Sequence, residues 1–131
     1  IRTNNILEVS TVSATAATGT INFDLMSQSV LYYTTDASGN WTVNFRGNSG
    51  TTLNSMLETG QSITCTFLVT QGATAYYNSA VTIDGTSVTP VWQGGVAPAE
   101  GNASSLDVYT YAIIKTANAT FKVLASLTKF A

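Results

Sequence analysis

Seven carboxylates, one thiol and no imidazole are all that this chain of 131 residues has for building a reactive centre. Glu8, Asp24, Asp36, Glu58, Asp84, Glu100 and Asp107 stand singly along it. Neither an activated nucleophile nor a paired general acid and base is legible in that spacing. Asp36 and Asp84 sit in turn-forming sequences, and Asp24 and Asp107 lie near strand ends. Calcium requires several converging oxygens, which normally show as closely spaced Asp and Asn, and no such cluster is present. Cys65, being alone, forms neither an intramolecular disulfide nor a cysteine-built zinc site. The sequence therefore predicts no enzymatic activity, no cofactor and no metal. Between Ile63 and Phe67 in an alternating run, Cys65 reads as a small buried apolar residue.

The remaining side chains with recognition chemistry are aromatic. Tyr32 and Tyr33, Tyr76 and Tyr77, and Tyr109 with Tyr111 come in pairs, beside Trp41 and Trp92. Successive strand residues point to opposite faces, so one ring of each adjacent pair should be inward and the other outward. Rings that close sheet edges or sandwich ends, with hydroxyls bonded at the surface, are the structural expectation. Outward rings that stack on a sugar or fill an interface are the functional one. Tyr76, Tyr77 and Trp92 flank loops and are the contact candidates, joined by Phe130 in the apolar closing pair Phe130-Ala131. Lys115, Lys122 and Lys129 read as a solvated face or as guards against edge pairing.

Strand signals recur about every ten residues, at Ile6–Ser13, Thr18–Leu25, Ser29–Thr35, Asn40–Arg46, Gln61–Thr70, Ala80–Ile83, Thr86–Trp92, Asp107–Thr116 and Thr120–Phe130. No long helical pattern intervenes. The expected fold is all-β: a single antiparallel β-sandwich over residues 1–131, jelly-roll-like, with one short capping helix. That helix is signalled by Leu53, Met56 and Leu57 after an N-cap at Thr51, with Gly60 as its stop. Asp84-Gly85 predicts a hairpin, Asp36–Gly39 a longer turn, and Gln93–Asn102 the longest loop. A net charge of -2 offers no field for phosphate backbones, so nucleic acid is not an expected partner. No apolar run approaches the roughly 20 residues of a spanning helix, and no membrane partner is expected. The chain opens at Ile1 without a basic-then-apolar leader, which reads as a processed start or a piece of a longer polypeptide.

Residues 62–77 (SITCTFLVTQGATAYY), Ile83-Asp84-Gly85, Val91–Gly95 (VWQGG), Ala112–Thr116 (AIIKT) and Phe121–Ser126 (FKVLAS) carry a resemblance. So does the opening Asn4–Ser10 (NNILEVS). Together they resemble a module of virion structural proteins of marine tailed phages, cyanophages especially, where it often ends long fibre-like polypeptides. The resemblance spans about Ile6 to Ala131 and implies a virion exterior location, contacts with other virion proteins and no catalytic residue. Its fibre context implies a homo-oligomer, with a trimer as the working number. The function expected is a non-enzymatic phage structural protein, an appendage or tail-fibre domain or a capsid decoration subunit, acting through packing. The alternative is a glycan-binding host-recognition module using Tyr76, Tyr77 and Trp92.

Overall fold

The computed structural model describes residues 1–131. Ten strands form: β1 Ser10–Ala16, β2 Gly19–Asp24, β3 Val30–Thr35, β4 Trp41–Arg46, β5 Ser62–Thr70, β6 Asn78–Ile83, β7 Thr86–Val88, β8 Val91–Trp92, β9 Leu106–Ala117 and β10 Thr120–Phe130. A one-turn helix, α1 (Leu53–Met56), follows β4, and a 3₁₀ turn at Gln93–Gly95 follows β8. The strands make a six-stranded sheet ordered β1-β3-β5-β9-β10-β8 and a four-stranded sheet ordered β2-β4-β6-β7. The all-β sandwich and its single short helix are as the alternating runs predict.

The antiparallel, jelly-roll-like connectivity is corrected. β1 with β3, β3 with β5, β2 with β4, β4 with β6 and β8 with β10 all pair parallel. Only β5 with β9, β9 with β10 and β6 with β7 are antiparallel. From β1 to β6 each strand lies in the sheet opposite its predecessor. Two crossings reverse the chain twice, so every return to a sheet is parallel to the strand left behind. Parallel pairing normally needs a crossover of a dozen or more residues, often a helix. Here the crossover is itself a strand of the other sheet, as β2 is between β1 and β3.

The connections show the same habit. Asp36–Gly39 is an arch between sheets rather than a hairpin: Ala37 N–H donates to Thr70 O and Ser38 N–H to Ala17 O. Asp84-Gly85 is a true hairpin, both residues taking positive φ, 52° and 80°, as a tight turn between twisted strands requires. The Thr86–Trp92 run breaks at Thr89-Pro90 into β7 and β8, which belong to different sheets. The segment Ile6–Val9 lies outside β1. The N-cap of α1 is Thr52, one residue beyond the expected Thr51, with its side chain accepting from Ser55 N–H. The Asp84 carboxylate accepts from Leu53 and Asn54 N–H at 2.7 and 3.0 Å, tying the hairpin turn to the helix start.

Rings fill the space between the sheets. Trp41 of the four-stranded sheet stands edge-on to Phe67 and Tyr109 of the six-stranded sheet, centroids 5.8 and 5.5 Å apart. Phe45 meets Tyr111 at 4.9 Å. Tyr33 points inward onto Phe67 while Tyr32 faces out, as alternation predicts. Tyr109 and Tyr111 are fully buried, not at a sandwich edge, because both share the inner face of the central strand β9. The Tyr109 hydroxyl accepts from Asn78 N–H, whereas the Tyr111 hydroxyl has no partner. Cys65 is buried, as expected, and desolvation pushes its thiol up, leaving it inert.

β9 also turns a charge inward near each end of its core-facing row. Lys115 is buried, contrary to the solvated or edge-guard role expected of it, while Lys122 and Lys129 are exposed. Its ammonium donates to the carbonyls of Asn54 and Leu57 at 2.6 and 2.8 Å, gathering the last turn of α1 onto the strand. Lys115→Met should leave those two carbonyls unpaired and cost about 2 kcal/mol, or roughly 7 °C in Tm, in a thermal melt.

Burial raises the phenols of Tyr109 and Tyr111 above their ordinary range. The unfolded chain therefore loses the Cys65 proton first, as pH climbs past about 8.5, and the phenol protons past about 10, so folding stability begins to fall at about pH 8.5 and falls more steeply above about 10. Chemical denaturation across pH 9–11 should show this decline. Tyr111→Phe should make it shallower by about 1.4 kcal/mol per pH unit and cost nothing at pH 7.

Candidate functional site

Two surfaces result from this packing, one a cleft and the other a sheet face. The cleft holds about 640 Å³ and opens where β7, the edge of the small sheet, passes to β8, the edge of the large one. Val81, Val88, Pro90, Val91, Trp92 and Pro98 supply its apolar lining, and Asn78, Ser79, Ser87 and Thr89 its polar groups. No charged side chain borders it. Trp92 faces the core side of β8, half-buried, with its ring edge-on to Tyr109 and Tyr111 at 6.2 and 6.4 Å.

The loop that closes the cleft is held by a buried carboxylate. Asp107 is fully buried and accepts from Asn102 Nδ2 at 2.7 Å, Asn102 N–H at 3.0 Å and Gln71 Nε2 at 3.1 Å. Gln71 in turn donates to Tyr76 O and accepts from Tyr76 N–H. A Cβ at Gly101 would collide with the Tyr76 carbonyl, so only glycine lets the two segments approach this closely. Asp107 thus does more than mark a strand end, since it ties the Gln93–Asn102 loop to the segment before β6. Two other acids are also in structural use: Asp24 accepts from Arg46 at 2.6 Å on adjacent strands, and Asp84 caps α1. No three groups capable of holding a metal ion come together.

The second surface is the outer face of the six-stranded sheet. In register across it lie Val12 of β1, Tyr32 of β3, Leu68 of β5 and Val108 of β9. Beside that row Phe130 of β10 pairs with Leu106 of β9. Val12 and Phe130 are 65% and 56% exposed, and the others are half-buried with no layer above them. By alternation, Lys122 is the only charge on the outward positions of these strands.

The contact candidates from the sequence separate in space. Trp92 lines the cleft, Tyr76 and Tyr77 do not, and Phe130 lies on the outer sheet face. Tyr76 packs against the core, and Tyr77 is fixed by its backbone, donating to Asn40 Oδ1 and accepting from Trp41 N–H. Val12, Tyr32, Leu68, Leu106 and Val108 were not among the candidates. A signal for Leu68 is the run Phe67-Leu68-Val69: three consecutive large apolar residues on a strand cannot all face one core. Comparison of the chain with protein-family models, characterised proteins and solved structures returned no match.

Asp107→Ala should release the loop without abolishing the fold. Limited proteolysis between Gln93 and Ser105 is expected to quicken at least tenfold, because local opening governs cleavage there.

Proposed function

We propose that this chain is a non-enzymatic structural subunit of a tailed-phage virion, an exterior appendage or fibre domain or a head decoration subunit, that works by packing against neighbours. The observation that carries this reading is the neutral apolar row Val12, Tyr32, Leu68 and Val108 with Leu106 and Phe130. Six strands at about 4.8 Å spacing and about seven residues long present a face of roughly 600 Å² before side-chain relief is added. A specific interface takes about 800 Å² from each partner, so this one face nearly suffices. A face with almost no charge can meet another copy of itself without like-charge repulsion, where a charged one could not. The resemblance of residues 62–77 and of the closing strands to phage fibre-like modules supports the virion setting, and the fibre analogy supports a homo-oligomer, a trimer by preference.

Glycan recognition is the second reading, favoured by Trp92 in a cleft lined by hydroxyl and amide groups. It now rests on Trp92 alone of the three loop-flanking aromatics, and a glycan array that registers no binding removes it.

Leu68→Asp places a charge in the centre of the outer row and should weaken self-association at least tenfold in sedimentation equilibrium while leaving the far-UV spectrum unchanged. A wild-type chain that stays monomeric at high concentration and binds no virion protein overturns the proposal. So does an image of the intact particle without density for the chain on its exterior.

A further inference from the structure

The segment before β1 has an unusual surface. Residues 1–9 are all exposed, and within four of them Ile6, Leu7 and Val9 are 72%, 94% and 63% exposed. Residues 1–8 bond only to one another, through Thr3 Oγ1 to Asn5 O and Ile6 N–H to Asn5 Oδ1. The arm is joined to the body at Val9, whose carbonyl accepts from Ser29 and Val30 N–H. Large apolar side chains clustered on an unpaired extended segment gain most by entering a groove with free backbone edges.

The cleft between β7 and β8 is such a groove. Each of these strands is paired on one side only, with β6 and β10 respectively. The lining is uncharged and largely apolar, and Trp92 borders it. The apolar cluster at Ile6, Leu7 and Val9 cannot reach the cleft of its own molecule. β1 is at one edge of the six-stranded sheet and β8 at the other, five strand intervals or about 24 Å away. Leu7, three residues from Ser10, reaches about 10 Å at full extension. A cleft filled by this cluster would therefore be filled from another molecule.

We infer that the Ile1–Val9 arm of one copy inserts between β7 and β8 of the next, a strand exchange that links subunits head to tail. Leu7 and Val9 share one side of the extended arm and enter together, while Glu8 stays in water. Donor and acceptor occupy opposite edges of the molecule, so the contact is heterologous and builds a closed ring or an open filament according to the rotation between copies. This inference rests on the subunit-packing reading and supplies a contact separate from the outer sheet face.

The test begins with the full chain in sedimentation velocity over a range of concentrations, against the chain lacking Ile1–Glu8 and against Leu7→Asp. Both variants leave the bonds at Val9 intact and should keep the wild-type Tm, with self-association weakened at least tenfold. A synthetic peptide of residues 1–10 should bind the arm-deleted chain and shift the emission of Trp92, and the same peptide carrying Leu7→Asp should not. Association that is as strong without the arm as with it, or a peptide that leaves Trp92 unchanged, overturns the exchange while the outer-face contact stands. A wild-type chain that is monomeric throughout overturns both.

Discussion

Trp41, held edge-on between Phe67 and Tyr109, is the contact on which both sheets depend. A chain that crosses between layers at every strand from β1 to β6 has few hairpins to keep consecutive strands together. The layers must be registered by what lies between them. Interlocked rings do this better than aliphatic side chains, because edge-to-face geometry has an angular preference as well as a buried area. Phe45 against Tyr111 repeats the device nearer α1, and the Tyr109 hydroxyl extends it to the backbone of Asn78.

β9 carries that registration to both ends of the sandwich. Its inner row runs Asp107, Tyr109, Tyr111, Ile113, Lys115, three core residues between two charges. Each charge takes up polar groups of a connecting segment, the long loop at Asp107 and the helix end at Lys115. Buried ions are tolerated where hydrogen bonds satisfy them, and here they fix the elements that border the cleft and cap one end of the sandwich. With Asp24, Arg46, Asp84, Asp107 and Lys115 held in internal ties, the cleft has no charged lining and the outer sheet face carries only Lys122.

Much of the fold was legible along the chain. Trp41, Val43 and Phe45 alternate with polar neighbours and are buried, and Asp84-Gly85 makes the hairpin that its residue types require. Parallel pairing was not legible, since period-two alternation is identical in parallel and antiparallel strands. The same limit hid the inward charges: Lys115 follows two isoleucines on β9, and only the position of α1 beneath it turns a surface residue into a tie. Of the four aromatic candidates, Trp92 lies in the cleft and Phe130 on the outer face, but the row from Val12 to Val108 draws one residue from each of four strands and has no local pattern.

By itself the sequence determined the class of the molecule: an all-β domain with an aromatic core and very few groups free for chemistry. Those properties depend on residue type and on the two-residue period of a strand, both of which are local. Tertiary structure alone decided which strands are neighbours, and therefore which outward residues join into a face and which edges bound a cleft. Outside the two hairpins, pairing partners lie tens of residues apart along the chain, 20 for Val12 with Tyr32 and 40 for Leu68 with Val108. Such partnerships are selected by the packing of rings between the sheets, a cooperative property that no single segment encodes.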